Sequence, residues 1–225
     1  MEIDILTLFP EFFNGPLGVS MLGRAIQSGL VKVNLTQIRD FAEGKHAKVD
    51  DRPFGGGPGM VMKPEPITAA IRSCKRADSH VVYLSPQGKP LTAKRAAELA
   101  QLPHLILLCG HYEGIDERVL ATDVHEEISI GDYVLISGCA PAVVLIEAVT
   151  RFIPGFLGDE ASVVQESFQD GGFDCPHFTR PEVFEGMRVP EVLLSGHHQK
   201  IAQWRKEQAY AKTKSVRPDL VNHSY

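Results

Sequence analysis

The chain has 225 residues, of which 44% are hydrophobic, and a formal net charge of −5 at pH 7. This length suits one large domain or a medium domain with a small appendix, and the composition is ordinary for a globular protein. No apolar run reaches the roughly 20 residues of a membrane helix, and the four cysteines lack the spacing of a zinc site or a disulfide framework. The acidic N-terminus lacks the basic flank of a signal peptide, so we expect a cytoplasmic protein with reduced thiols.

Positive charge is concentrated near the C-terminal end of the sequence. Residues 196–225 carry a net charge of +4, whereas residues 1–195 carry −9. A basic tail on an acidic body fits a polyanionic partner that is held locally. The alternative is a solvated helix face whose charges complement the helix dipole. A uniformly basic surface that steers phosphates is excluded.

The first part of the chain alternates strand and helix patterns. Residues 2–9 alternate as a strand, residues 20–29 carry apolar side chains at helical spacing with Gly29 as a C-cap, and residues 31–38 alternate again. A long polar loop then covers residues 39–60. Loops of this length inside a compact domain tend to be functional.

Three consecutive glycines, residues 55–57, lie near the end of this loop. Their backbone amides can bind an anion, or they can allow close approach to a flat ring. The alternative is a flexible surface loop. The Walker-type pattern is absent, because no Gly-Lys-Ser/Thr sequence follows.

Apolar strands and helices continue to alternate after the loop, which predicts an α/β fold with a mostly parallel sheet and helices on both faces. Beyond residue 152 the periodicity is lost, and a basic helix is predicted at about residues 198–215. We therefore predict an α/β domain at 1–157, a linker at 158–175 and a small helical domain at 176–225, which has too few apolar residues to fold alone. The predicted helices are 64–77, 91–102, 115–121 and 141–152, and the predicted strands are 80–84, 104–109 and 124–130.

Three loops rich in small residues follow three successive predicted strands. They cover residues 85–88, 110–114 and 129–141. Ligands of α/β sheets bind outside the carboxyl ends of the strands, so these loops predict one small-molecule pocket.

Eight sequence motifs, in this order, resemble those of the bacterial tRNA (guanine-N1)-methyltransferases, knotted methyltransferases of the SPOUT class. The resemblance spans nearly the whole chain. The motifs are Asp-Ile-Leu-Thr-Leu-Phe-Pro at 4–10, Val-Asp-Asp at 49–51 with the glycine-rich stretch 53–60, Leu-Ser-Pro-Gln-Gly at 84–88, Gly-His-Tyr-Glu-Gly at 110–114, Ser-Ile-Gly-Asp-Tyr-Val-Leu at 129–135, Arg-Phe-Ile-Pro-Gly at 151–155, Cys-Pro-His-Phe-Thr-Arg-Pro at 175–181 and Ser-Gly-His-His at 195–198.

This resemblance implies a C-terminal trefoil knot in the α/β domain, which departs from the rule that chains do not thread loops. It also implies a homodimer whose active sites are shared between subunits. The implied methyl donor is S-adenosylmethionine, and the implied acceptor is N1 of the tRNA guanine 3′ of the anticodon, position 37.

The resemblance assigns catalysis to Glu166 and Arg151. Glu166 stands where the family usually has Asp, and it would remove the N1 proton as a general base. Arg151 would stabilise charge on the guanine O6 and hold the Glu166 carboxylate. The plain alternatives are an exposed acidic linker residue and a cation that complements a helix dipole.

The resemblance also gives a cofactor-binding set, in which glycines let the backbone approach the adenosine. Relatives usually read Ser-Gly-Gly-Glu-Leu-Pro where residues 136–141 read Ile-Ser-Gly-Cys-Ala-Pro, so Ser137 adds a side chain and Cys139 removes a charge. A small packed cysteine is favoured at 139 over a reactive thiol. The predicted cofactor-binding residues are Tyr83, Leu84, Ser85, Pro86, Gly88, Gly110, Tyr112, Glu113, Gly114, Ile130, Gly131, Tyr133, Leu135, Gly138, Pro141 and, from the partner subunit, Asp174.

For the tRNA, residues of the long loop are candidates for reading the guanine edge, and basic residues of the C-terminal part are candidates for phosphate contact. The paired histidines have no third ligand at zinc spacing, so we predict no metal ligands, and Mg²⁺ enters only as an expectation of the family. The predicted tRNA-binding residues are Asp50, Arg52, Gly59, Arg180, His197, His198, Lys200, Arg205 and Lys206.

Two other functions remain open at this point. One is a knotted methyltransferase that acts on a ribose 2′-OH, which the Arg151/Glu166 pair disfavours. The other is a module that binds cofactor and RNA without turnover, which the departures at Glu166, Ser137 and Cys139 motivate.

Overall fold

A computed structural model of the chain describes residues 1–157, 166–169 and 171–221. The chain separates into two compact units, Met1–Gly158 and Asp159–Tyr225. Part of the predicted linker at 158–175 lies outside the described residues, so the predicted division into three parts stays a prediction.

The first unit is built on a parallel five-stranded sheet with the strand order β2-β1-β6-β5-β7, and every neighbouring pair in it is parallel. A separate antiparallel pair, β3 with β4, lies inside the long loop. The strands are β1 (Glu2–Thr7), β2 (Lys32–Gln37), β3 (Asp50–Asp51), β4 (Val61–Met62), β5 (Ser79–Pro90), β6 (His104–Cys109) and β7 (Glu126–Ser129).

Helices cover both faces of this sheet, because successive side chains of each buried strand point to opposite faces. Leu105 and Leu107 of β6 pack in one hydrophobic cluster with α1, α3 and α5, whereas Ile106 and Leu108 pack in a second cluster with α2 and α4. All four of these side chains are fully buried. The predicted α/β architecture is thereby confirmed. The helices are α1 (Ser20–Gln27), α2 (Pro64–Cys74), α3 (Ala93–Leu99), α4 (Glu117–Asp123) and α5 (Cys139–Thr150).

Several predicted bounds differ from those of the structure, and three differences have identifiable reasons. β5 does not end at residue 84, because the chain pairs with β7 again at Lys89 and Pro90 after a register shift. α5 begins at Cys139, two residues before the predicted start at residue 141, because a proline is tolerated in the first helical turn. The long loop is interrupted by a 3₁₀ turn at Ile38–Phe41 and by the β3–β4 pair.

The end of α1 at a glycine was predicted and is found. Gly29 follows the C-cap Ser28 and has a φ of +76°, which an L side chain rarely adopts. Its amide donates to the Ile26 carbonyl, and the Leu30 amide donates to the Ala25 carbonyl. These bonds satisfy carbonyls that the helix end would leave without a donor.

The second unit is mainly helical in its described residues. Its long helix α7 covers His198–Val216, close to the basic helix predicted at 198–215. Among the residues described, none of the helices combines the length and the apolar character that crossing a bilayer requires. The other elements of this unit are β8 (Val183–Phe184), β9 (Met187–Arg188), α6 (Glu191–Leu194) and α8 (Pro218–Val221).

A half-buried ion cluster joins the β7 edge of the sheet to α3. Arg95 holds both carboxylate oxygens of Glu126, at 2.6 and 3.1 Å, and His80 Nε2 lies 2.7 Å from Glu126 Oε1. Burial opposes ionisation of this carboxyl group, but the hydrogen bonds to His80 and Arg95 outweigh it and lower the pKa of Glu126 to about 2.

This lowered pKa predicts how stability depends on pH. The stabilisation by Glu126 is fully present above its unfolded pKa of 4.5 and is lost as pH falls toward the folded value of about 2. Between pH 7 and about pH 3, urea unfolding should show that wild type loses about 1–2 kcal/mol more than Glu126→Gln. Glu98 contacts the same arginine from an exposed position, so Glu98→Gln should retain the wild-type dependence. Equal losses in wild type and Glu126→Gln would contradict the prediction.

Candidate active site

One cavity of about 390 Å³ lies at the carboxyl edge of the sheet in the first unit. Three loops surround it: the first loop (residues 85–88), the second loop (110–114) and the third loop (130–138). The first loop lies at the register shift inside β5, and the second and third loops follow β6 and β7; because these strands are parallel, the three loops meet at one edge of the sheet. The structure therefore brings the three predicted loops around one pocket, and its volume lies in the range of small-molecule sites.

The second and third loops touch each other through their backbones. The Gly138 amide donates to the Gly110 carbonyl at 2.9 Å, and His111 forms an isolated antiparallel bridge with Ser137. A Cβ on Gly138 would lie 2.9 Å from the Cys109 Cα atom and 3.0 Å from the Gly110 nitrogen. Glycine is required at 138 because any side chain would separate the two loops.

The glycine-rich part of the long loop borders the second loop. The Glu113 amide donates to the Met60 carbonyl at 3.0 Å, and the Met62 amide donates to the Gly114 carbonyl at 2.9 Å. Gly59 has a φ of +79°, and a Cβ there would overlap the Glu113 carboxylate. Gly59 thus lies beside Glu113, a residue of the cavity wall. The sequence alone did not predict this contact.

Carboxylates dominate the charge of the cavity. Glu113, Glu117 and Glu127 line it, and none of the described lining residues is a lysine or an arginine. Negative charge in a partly enclosed site attracts a cationic ligand and repels phosphates. The Nδ1 atom of His111 is buried without a hydrogen-bond partner among the described residues, so it is an open polar contact for a ligand. These features fit a ligand with a net positive charge and polar edges.

Tyr83 forms part of the cavity floor as a neutral phenol. Burial raises the pKa of Tyr83 to about 12, so its hydroxyl does not ionise near neutral pH. A Cβ on Gly110 would lie 2.7 Å from the Tyr83 hydroxyl oxygen. Gly110 is therefore a glycine so that the second loop can approach this ring.

Fourteen of the sixteen predicted cofactor-binding residues line this cavity. The exceptions are Gly88 and Asp174. Sequence reasoning missed His111, Glu117 and Glu127, although His111 lies inside a motif that had been identified and Glu117 begins the helix that follows it. Their contact with ligand stays a prediction, as does that of the other fourteen: Tyr83, Leu84, Ser85, Pro86, Gly110, Tyr112, Glu113, Gly114, Ile130, Gly131, Tyr133, Leu135, Gly138 and Pro141.

The two departures from the family pattern have structural roles at the start of α5. The Ser137 hydroxyl accepts a hydrogen bond from the Cys139 amide at 3.3 Å, so it satisfies one amide at the start of the helix, whose N-cap residue is Gly138. Cys139 is 2% exposed, and its Sγ lies 3.2 Å from Thr7 Oγ1. Hydrogen bonds, chiefly to Cys109 and then to Thr7 and Ser137, lower the pKa of Cys139 to about 6. The Cys139 side chain is therefore packed inside the protein.

The two predicted catalytic residues lie in different units. Arg151 is the C-cap residue of α5 in the first unit and is partly buried. Glu166 belongs to the second unit and lines a separate cavity there, of about 520 Å³. Their catalytic roles stay predictions.

Asp174 also lines the cavity of the second unit. Its carboxylate lies 2.9 Å from His177 Nε2. Burial opposes ionisation of Asp174, but the Cys175 amide and His177 outweigh it and hold its pKa below the usual range. Burial and the Asp174 charge raise the pKa of Cys175. Within the described residues, these three form the one group whose donor atoms would suit a metal ion, and the thiol proton opposes such binding.

The predicted tRNA-binding residues fall on both units. Asp50 lies in β3, and Arg52 and Gly59 are exposed in the long loop of the first unit. In the second unit, Arg205 and Lys206 line the cavity that contains Glu166. The remaining candidates are exposed in the second unit: Arg180, His197, His198 and Lys200.

Comparison with known proteins gives the family. The family model described as tRNA (Guanine-1)-methyltransferase TrmD matches residues 1–223. The chain belongs to the tRNA (guanine-1)-methyltransferase family. This confirms the resemblance drawn from the eight motifs, and it identifies methylation of tRNA guanine at N1 as the activity of the family.

Three relatives are each named tRNA (guanine-N(1)-)-methyltransferase. The protein from Protochlamydia amoebophila (strain UWE25) is 58% identical over 221 residues, which cover 98% of this chain and 100% of that protein. The protein from Chlamydia muridarum is 56% identical over 220 residues, and that from Chlamydia pneumoniae is 57% identical over 226 residues. This chain spans 62% of the length of the two Chlamydia relatives.

Gly88 does not line the cavity, and the structure gives it another role. A Cβ on Gly88 would lie 2.5 Å from the Glu127 carbonyl carbon and the Ile128 nitrogen, so Gly88 lets the first loop lie against β7. Gly88→Ala should destabilise the protein by about 1–3 kcal/mol in urea unfolding, because the backbone of β7 must move. At Gly15 a Cβ would meet nothing within 4 Å, so Gly15→Ala should change stability by less than about 0.5 kcal/mol. Equal stability of the two variants would contradict this role.

Proposed function

We propose that this chain transfers the methyl group of S-adenosylmethionine to N1 of the guanine that follows the anticodon of tRNA, position 37. Methylation of tRNA guanine at N1 is the activity of its family. The methyl donor, the position and the roles of individual residues are the proposal. The observation that carries it is the acidic cavity enclosed by the three loops.

The charge of the donor suits this cavity. S-adenosylmethionine has a sulfonium, an ammonium and a carboxylate, and therefore a net positive charge, which Glu113, Glu117 and Glu127 favour. When bound, it supplies a methyl group that the sulfonium has already activated. Backbone groups of the second and third loops and His111 would hydrogen-bond its polar edges, and the glycines admit it close to the main chain. Asp174 of the partner subunit would reach its amino group.

Glu166 and Arg151 carry the proton transfer and the charge stabilisation in this proposal. Glu166 accepts the proton of guanine N1, so that the nitrogen lone pair can attack the methyl carbon. Arg151 donates hydrogen bonds to O6, where negative charge accumulates as the proton leaves. Glu has one more methylene than the usual Asp, so the segment around Glu166 must set its carboxylate differently from that of most relatives.

The binding partners that we propose are those expected of the family. The tRNA is held by exposed basic residues such as Lys200, Arg205 and Lys206, and its guanine edge is read by Asp50 and Arg52. The enzyme works in the cytoplasm as a homodimer with shared active sites, and Mg²⁺ assists the reaction. Residues 176–225 form a small helical tRNA-binding domain.

The finer architecture that we propose for the first unit is a trefoil knot. Two observations support it. The third loop lies directly against the second loop through the Gly138–Gly110 hydrogen bond and the His111–Ser137 bridge. In the sheet, β7 lies beside β5 and not beside β6, so the chain passes the β6 end before it enters α5.

A methylation assay tests the reaction and the base together. Wild-type protein, methyl-labelled S-adenosylmethionine and tRNA transcripts that differ in the nucleotide after the anticodon should place label on guanine N1. Glu166→Gln should keep cofactor binding but lose turnover by about 100-fold or more, because a general base is removed. Glu185, in the exposed β8–β9 turn, gives the matched control Glu185→Gln, which should behave as wild type.

The outcomes of that assay separate the competing functions. Label on ribose would indicate a 2′-O methyltransferase, and cofactor binding without label would indicate a module without turnover. Near-normal turnover of Glu166→Gln would remove Glu166 from the mechanism.

Calorimetry tests the charge argument for the cavity. The demethylated product S-adenosylhomocysteine has no sulfonium and is neutral overall. Glu127→Gln should therefore weaken binding of S-adenosylmethionine by roughly five-fold, corresponding to about 1 kcal/mol, and leave binding of the product nearly unchanged. Glu147, outside the cavity lining, gives the control Glu147→Gln. If both ligands lose affinity equally, the carboxylate does not act on the sulfonium charge.

A further inference from the structure

Thr213 is a buried polar residue in the last turn of α7. It is 3% exposed. Its hydroxyl donates to the Ala209 carbonyl at 2.8 Å and accepts a hydrogen bond from the Phe173 amide at 2.9 Å. The first bond is an ordinary contact of threonine with its own helix. The second joins α7 to a segment forty residues earlier in the chain.

The segment that Thr213 binds is also bonded to the residues around Glu166. The Phe168 amide donates to the Gly172 carbonyl at 2.6 Å, and the Asp174 amide donates to the Ser167 hydroxyl at 3.0 Å. The residues next to Glu166 are therefore fastened to residues 172–174, and these are fastened to α7. We call the described residues 166–169 and 171–174 the base loop.

The base loop lies close to Thr213 with little space between them. A Cβ on Gly172 would lie 3.2 Å from Thr213 Oγ1, which is tighter than an ordinary van der Waals contact. Removal of the hydroxyl would leave the part-buried Phe173 amide without this acceptor. The Thr213 hydroxyl thus helps to fix the position of the base loop.

We propose that Thr213 is a positioning residue that sets the Glu166 carboxylate for proton transfer. This inference rests on the proposed function, in which Glu166 is the general base. The Thr213 hydroxyl is engaged by the Phe173 amide and the Ala209 carbonyl, so in this proposal it acts through the base loop.

The same helix carries residues proposed to hold tRNA phosphates. Arg205, Ala209 and Thr213 follow one another at intervals of four residues and therefore share one face of α7. Arg205, Lys206, Thr213 and Glu166 all line the cavity of the second unit. A single rigid helix thus connects the proposed tRNA contacts to the residue that positions the base.

Steady-state kinetics of two Thr213 variants test the inference. Thr213→Val has nearly the shape of threonine but lacks the hydroxyl, and its kcat should fall about 10- to 100-fold, because a displacement near 1 Å can cost that much. The KM values for tRNA and S-adenosylmethionine should stay within about two-fold. Thr213→Ser restores the hydroxyl and should recover most of kcat. Thr122 also contacts the carbonyl four residues before it, at 2.8 Å, and the neighbouring Asp123 carboxylate at 3.0 Å. It accepts no bond from another segment among the described residues, so Thr122→Val is the control.

A double variant separates positioning from general loss of structure. If Thr213 acts through Glu166, Thr213→Val should slow Glu166→Gln no further, because residues that act as a unit are not additive. Multiplied effects, or a Thr213→Val enzyme with wild-type kcat, would overturn the inference.

Hydrogen exchange tests the contact without any need for activity. In Thr213→Val the peptide that contains Phe173 should exchange faster than in wild type and in Thr213→Ser, with exchange in the first unit unchanged. If wild type did not methylate guanine N1 but this exchange pattern appeared, the proposed function would fail while the link between Thr213 and the base loop would hold. Unchanged exchange at Phe173 would overturn the link itself.

Discussion

Direct backbone contact between the second and third loops is the constraint on which the first unit depends. The Gly138 amide reaches the Gly110 carbonyl only because Gly138 has no side chain, which would otherwise meet the backbone of Cys109 and Gly110. Gly88 plays the same part between the first loop and β7. With larger residues at these positions the loops would move apart, and the cavity would lose the walls that make it a site. The glycines therefore determine the shape of the pocket more than they determine local turns.

The two units differ in the charge of the surfaces that are proposed to bind ligands. The cavity of the first unit has three carboxylates and suits a cation, whereas α7 of the second unit carries Lys200, Arg205 and Lys206 and suits a polyanion. This division explains why a chain with a net charge of −5 can serve a nucleic acid. Within the second unit, Thr213 joins the basic helix to the loop that carries the proposed base.

Local periodicity predicted the strands and helices that are buried on at least one face. Residues 104–109 and the helix that begins at Cys139 were found close to where their apolar runs placed them. Strand order, the register shift of β5 and the contact of Gly88 with β7 depend on residues far apart in sequence, so no local pattern could give them. Glu127 was missed because a carboxylate in a strand gives no sign of the cavity beside it. The roles of Glu166 and Arg151 came from the family resemblance alone and stay predictions.

In the proposed function, the three-loop cavity binds the methyl donor as a cation. A crystal structure of the protein with S-adenosylmethionine would test this binding mode. We expect density for the donor between the second and third loops, with polar contacts to their backbone groups and to His111 Nδ1, and with the sulfonium on the carboxylate side of the cavity. Density at another place in the protein, or a sulfonium turned away from Glu113, Glu117 and Glu127, would show that the cavity does not bind the donor in this way.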